Sequence, residues 1–131
     1  LTEAQKNGLE LFNSKRLNCS GCHSGVLFSD FSYQNIGLAH QFEDSGRARI
    51  TFRPQDAGKF EVPSLRNVAI TPPYMHDGSM KSLNEVILYL ETGGGNHPNK
   101  SDLVQPFSLS IKERNELIKF LGSLTDEKFT K

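Results

Sequence analysis

The chain of 131 residues has two cysteines, no excess charge of either sign and no long apolar run. A zinc site would need two ligands beyond the cysteines, yet His40, His76 and His97 are scattered singly, without the compact paired spacing that such sites use. Lys+Arg and Asp+Glu balance at 15 each, which removes the net field expected of a partner for nucleic acid or an anionic membrane. No stretch approaches the roughly 18 apolar residues that read as a transmembrane helix. Leu1-Thr2-Glu3 is not the start of a signal peptide. Internal repeats and low-complexity tracts are missing too, so residues 1–131 are expected to form one domain, able to bury about two thirds of its unfolded surface.

What is present is the run Cys19-Ser20-Gly21-Cys22-His23. C-x-x-C-H is the attachment signature of a c-type haem. Two thiols three apart on one turn can form thioethers to both vinyl groups, and the adjacent imidazole reaches the iron from one face. One covalent haem therefore engages every cysteine in the chain. A thioredoxin-like pair would need a βαβ setting, and no strand-like apolar run precedes Cys19. A disulfide across two residues would be strained and would leave His23 unexplained.

Three helices declare themselves by their ends. Thr2 with Gln5 forms a capping box ahead of Leu9 and Phe12. Ser82 with Glu85 forms a second, ahead of Leu83, Val86, Ile87 and Leu90 and ending at Gly93-Gly94-Gly95. Ser110 with Glu113 forms a third, followed by Leu117, Ile118, Leu121 and Leu124, a stripe expected to pack on the first helix. A shorter helix is expected from Pro63 to Ile70, where Pro72-Pro73 stops it. Residues 24–61 and 93–107 show no sustained period and read as loops around a prosthetic group. The expectation is an all-α unit whose terminal helices pack together while long loops enclose the haem, as in a class I cytochrome c.

The middle of the chain carries a more specific resemblance. Gly58-Lys59-Phe60-Glu61-Val62-Pro63-Ser64-Leu65-Arg66-Asn67-Val68-Ala69 is followed by Thr71-Pro72-Pro73-Tyr74-Met75-His76-Asp77-Gly78-Ser79. Together with Asn35-Ile36-Gly37, Asp44-Ser45-Gly46-Arg47 and Phe120-Leu121-Gly122-Ser123-Leu124-Thr125-Asp126, these segments resemble the C-terminal haem domain of bacterial dihaem cytochrome c peroxidases and of the related enzymes of methylamine utilisation. In that family the N-terminal haem cleaves peroxide and the C-terminal haem relays electrons. This chain matches the relay half alone, so the resemblance does not carry the peroxidatic acid-base residue over.

The resemblance also sets expectations for the haem's surroundings. The family places a methionine or tyrosine fourteen residues after the histidine of the H-D-G motif; here Leu90 stands there, with Tyr89 one place early. Met80 and Met75 are the available thioether ligands, with Met80 favoured because a ligand on a loop can move inward; simple packing is the alternative for both. His76 is a rival ligand, read instead as a polar residue near the haem edge, and His40 and His97 are expected in solvent. Arg66 and Asn67 are expected to contact the propionates. By the same resemblance the backbone carbonyls of Thr71 and Pro73 could face a calcium ion between two haems, but its side-chain partner belongs to the other domain, and calcium is left out of the expected cofactors.

The functional expectation is a monohaem c-type cytochrome: Cys19 and Cys22 tether haem c, His23 is the proximal ligand, Met80 (or Met75) the distal one, and single electrons pass to redox partner proteins. Two alternatives stand beside it: an open-sided haem that binds peroxide or a small ligand, and a component domain that docks with a second haem protein to form a dihaem peroxidase. Attachment to C-x-x-C-H takes place outside the cytoplasmic membrane, so a periplasmic or equivalent exported location is expected, the export signal having been removed or lying outside this sequence.

Overall fold

The computed structural model describes residues 1–38 and 44–130. Four α-helices, α1 (Glu3–Asn13), α2 (Ala48–Thr51), α3 (Leu83–Glu91) and α4 (Ile111–Gly122), are joined by long connections punctuated by 3₁₀ turns. Among the described residues sheet is limited to β1 (Tyr33–Gln34) antiparallel to β2 (Phe60–Glu61), with Tyr33 opposite Glu61 and Gln34 opposite Phe60. The chain is thus helix-rich, with a short antiparallel strand pair inside the stretch read as loop.

The caps explain where the helices start. Thr2 and Gln5 close a reciprocal box on α1, and Ser110 and Glu113 do the same on α4. At α3 the Ser82 hydroxyl accepts from the Glu85 N–H, but the Glu85 carboxylate accepts from the Lys81 N–H at 2.8 Å, so the box is half formed. The expected helix from Pro63 is absent; only Val68–Ile70 turns, as a 3₁₀ segment. Tertiary contacts decide this. Val62 donates to the Ser32 carbonyl at 2.8 Å and accepts from Ser29 Oγ at 2.6 Å, and Asn67 takes the left-handed conformation at φ +62°, which a helix interior does not admit.

Helices α1 and α4 form the most extensive element pair among the described residues. Phe12 and Phe120, each 2% exposed, meet with ring centroids 5.2 Å apart, and the Phe28 ring completes a trio at 5.8 and 6.0 Å. Leu117, Leu121 and Leu124 extend this cluster to Leu17, Val68 and Ile87, and full burial of each such side chain contributes about 1.5–3 kcal/mol. Gly8 lets the helices approach: a Cβ there would run into the Glu116 carbonyl and lie 2.7 Å from Phe120 Cβ. Helix α3 is locked to α4 by Arg114, whose Nε and Nη2 both donate to Glu91 Oε2 at 3.1 and 2.6 Å, while Glu91 Oε1 accepts the Leu109 N–H.

Candidate haem site

Helix α1 ends at Asn13, and a short connection delivers the chain to a 3₁₀ turn, Cys19–Gly21, that carries the C-x-x-C-H run. Asn18 enters this turn in the left-handed conformation, its side-chain amide donating to the Leu103 carbonyl at 3.1 Å. His23 donates through the turn's own backbone to the Cys19 carbonyl at 2.9 Å, and Asp30 donates back to the Cys22 carbonyl at 2.8 Å. Cys19 and Cys22 are both free thiols. Burial pushes Cys19 up to about 12, and burial followed by the Asp30 charge raises Cys22. Neither sulfur is the activated thiolate of a redox pair.

The imidazole is the informative group. His23 Nδ1 lies 2.9 Å from the Phe28 carbonyl oxygen. A carbonyl only accepts, so Nδ1 carries the proton and Nε2 presents its lone pair. Burial lowers the basicity of His23, opposed by the Phe28 and Pro63 carbonyls and by Asp30, which favours the neutral ring that metal ligation requires. Among the described residues no group of three His, Cys, Asp or Glu side chains is arranged for a metal ion. The donor set of two sulfurs and one imidazole therefore fits a metal brought in by a macrocycle, not one held by protein side chains alone.

Of the other expected residues, Arg66 reaches the segment that follows this turn, and the rest have partners elsewhere. Arg66 places Nε and Nη2 on the Val26 carbonyl at 2.9 and 2.7 Å, with its guanidinium carbon 5.1 Å from the centre of the Phe28 ring. Asn67 accepts the Asp126 N–H at 2.8 Å through Oδ1 and donates its own N–H to the Leu124 carbonyl at 3.0 Å. Met80 is half-buried and pinned at both backbone groups to Tyr74, at 2.7 and 3.4 Å, closing a loop in which Met75 is left-handed. The Tyr74 hydroxyl donates to the Val68 carbonyl at 2.8 Å, tying that loop to the core. His76, on the loop tip, stacks on Phe60 at 3.9 Å and 14°.

Leu90 is half-buried on the α3 stripe that carries Leu83 and Ile87. Its neighbour Tyr89 is committed elsewhere. The Tyr89 hydroxyl donates to the Ile36 carbonyl at 3.0 Å and accepts the Gly95 N–H at 2.8 Å, and burial raises its phenol above the usual range.

His97 is not a solvated loop residue. Its Nδ1 accepts from the Asn99 N–H and the Asn35 amide, each at 3.0 Å. Asn35, 1% exposed, also donates to the Ala57 carbonyl and accepts the Gly37 N–H at 2.7 Å. This network joins three connections. No local signal in the sequence couples positions 35 and 97. His40 lies outside the described residues.

No family model matches the chain. It is similar to the cytochrome-c peroxidase IdrP1 of Pseudomonas sp. (strain SCT), 36% identical over 155 residues, covering 95% of this chain and 41% of that protein. That match is longer than the chain, so the peroxidase carries residues with no counterpart here. The methylamine utilization protein MauG of Methylophilus methylotrophus matches over 130 residues at 37% identity, covering 95% of this chain and 37% of the relative. Among solved structures, a MauG-like protein associated with microbial copper homeostasis superposes with a TM-score of 0.91 at 34% identity, over 100% of this chain and 49% of that one. The diheme peroxidase BthA of Burkholderia thailandensis E264 shares the fold, with a TM-score of 0.80 at 24% identity. The chain spans less than half the length of these relatives. With the C-x-x-C-H turn and the Val62–Ala69 and Tyr74–Ser79 segments in place, the chain belongs to the family of dihaem cytochrome c peroxidases and MauG, as a counterpart of its C-terminal haem domain.

Proposed function

We propose that this chain is the electron-relaying c-type haem domain of a dihaem enzyme, acting in an exported compartment. The observation that carries the proposal is the C-S-G-C-H turn with His23 Nδ1 engaged by the Phe28 carbonyl, which leaves Nε2 for the iron. When bound, a haem supplies a one-electron couple whose potential follows its axial ligands and surroundings. Cys19 and Cys22 would tether it and His23 would ligate its iron, with a thioether from Met80, or from Met75 as the alternative, as a further ligand. Arg66 through Nη1, the nitrogen not engaged by Val26, and Asn67 contact the propionates. The long loops 24–38 and 60–80 exclude water from one face and leave an edge for electron exchange with a second haem centre. A class I cytochrome c arrangement, in which terminal helices pack across each other behind the haem, agrees with the α1–α4 pair.

The relatives favour this component role over a free-standing carrier, since the proteins it resembles are more than twice its length. A second reading rests on one specific observation: Leu90 replaces the expected distal ligand while Tyr89 is engaged by Ile36 and Gly95. An open distal side would then bind peroxide or a small ligand.

Two measurements separate these readings. Haem that stays on the polypeptide through acid and organic-solvent extraction, with maturation impaired in Cys19→Ala and Cys22→Ala, supports the attachment. Peroxide turnover near the background of haem peptides supports the relay role, whereas turnover at or above about 1 s⁻¹ by this chain alone, a rate typical of enzymes, supports the open site.

A further inference from the structure

Three consecutive backbone carbonyls after the C-x-x-C-H turn are each held by a different side chain. Arg66 donates to Val26 from Nε at 2.9 Å and from Nη2 at 2.7 Å. Ser64 Oγ donates to Leu27 at 2.6 Å. His23 Nδ1 donates to Phe28 at 2.9 Å. Ser64 and Arg66 act as one unit, because the Ser64 oxygen also accepts the Arg66 N–H at 3.2 Å. Phe28 itself sits at φ +53°, a region that bulky residues rarely adopt and that persists only where the surroundings over-determine it. Those surroundings are visible: its ring is wedged against Phe12 and Phe120 and covered by the Arg66 guanidinium, and its N–H closes a turn onto the Gly25 carbonyl at 3.1 Å.

We propose that Ser64 and Arg66 are positioning residues for the proximal histidine. By holding the Val26 and Leu27 carbonyls they fix the 25–28 turn with Phe28 in the left-handed region, which keeps the Phe28 carbonyl aimed at His23 Nδ1. That hydrogen bond sets the tautomer and the ring orientation and makes Nε2 a stronger donor. The inference rests on the haem reading above, since Nε2 acts only on a bound iron. It also accounts for the Pro63-Ser64-Leu65-Arg66 run in terms of contacts with the attachment loop instead of helix formation.

The test uses the haem-loaded protein and the variants Ser64→Ala, Arg66→Leu and Arg66→Lys. The readouts are solvent exchange of the His23 Nδ1 proton by NMR, the reduction potential, and amide protection in α1 and α4 as a control. In Ser64→Ala and Arg66→Leu the Nδ1 proton is expected to exchange about tenfold faster, the signature of easier local opening, with α1 and α4 unchanged. In Ser64→Ala, which changes no charge, the potential is expected to shift upward, because a less basic imidazole stabilises ferric iron less. Arg66→Lys keeps one donor and is expected to fall between wild type and Arg66→Leu. Should Arg66→Leu fail to mature, Ser64→Ala decides alone. Unchanged exchange and potential in Ser64→Ala, with haem firmly on the wild type, overturn the inference and leave the haem reading intact. Unaltered exchange in Arg66→Leu, whatever its potential, also overturns it and leaves Arg66 with its propionate contact alone. Haem that extracts freely from the wild type overturns the haem reading and this inference with it.

Discussion

The Tyr89 hydroxyl accepts the Gly95 N–H at 2.8 Å and passes its own proton to the Ile36 carbonyl at 3.0 Å. The phenol one position from the family's distal-ligand site is therefore a loop fastener. Tyr89→Phe removes both bonds, but the Gly95 N–H keeps its 3.2 Å bond to Ile36, so the expected loss is about 1 kcal/mol. Denaturant unfolding measures that loss, and the visible spectrum of the haem-loaded variant is expected to match wild type. A spectral change would instead place Tyr89 at the iron.

The distal ligand is tested by methionine replacement. With Met80 as the ligand, Met80→Ala converts a low-spin haem into one that binds carbon monoxide or cyanide readily and lowers the potential, since a thioether favours ferrous iron. Leu90→Met in that background is expected to restore a low-spin site. The same change appearing in Met75→Ala and not in Met80→Ala moves the assignment to Met75. A high-spin wild type that neither replacement alters establishes the open site.

Replacing a helical glycine by alanine ordinarily stabilises by roughly 0.5–1 kcal/mol. Gly8→Ala is expected to do the opposite, because the new methyl runs into the backbone carbonyl of Glu116, which cannot rotate away. Overpacking of this kind costs about 1–3 kcal/mol. A lowered Tm in Gly8→Ala, beside a raised or unchanged one at the open position Gly122, is the expected pattern.

Acid stability is expected to depend on Glu113. The Ser110 N–H, first, and then Arg16 hold its carboxyl at about 2, below the ordinary 4.5. A depressed carboxyl stabilises the folded chain fully above its ordinary value and loses that contribution as pH falls toward its folded value. The stability difference between wild type and Glu113→Gln is therefore expected to be constant above about pH 4.5 and to close toward about pH 2, measured by unfolding across that window.

Local signals in the sequence carried as far as local physics does. Thr2–Gln5 and Ser110–Glu113 are three residues apart and close on themselves, so the starts of α1 and α4 are visible without any tertiary knowledge. Ser82–Glu85 has the same spacing, yet the Lys81 N–H competes for the carboxylate and takes it. The Pro63–Ile70 segment has good helical residues, but Val62, Arg66 and Asn67 bind residues 29, 32, 26, 124 and 126, and those distant partners outweigh propensity. The C-x-x-C-H run was legible because covalent chemistry demands that spacing. What orients its histidine was not, since the Phe28 carbonyl belongs to a backbone conformation that no residue type announces. His97 was misplaced for the same reason, its partner Asn35 lying 62 positions away.

Gly37 and Gly95 meet backbone to backbone, and a side chain on either would collide with the other's main chain; Gly94 stands in the same relation to the Ile36 carbonyl. Gly37 and Gly94 also have φ values of +77° and +76°, so sterics and torsion reject replacement independently. Such a contact has an all-or-none tolerance to change. Saturation mutagenesis across this seam would yield three nearly empty columns at 37, 94 and 95 beside permissive ones at exposed neighbours such as Asn96, and no compensating substitution could reopen them, because the obstructing atoms are common to every amino acid.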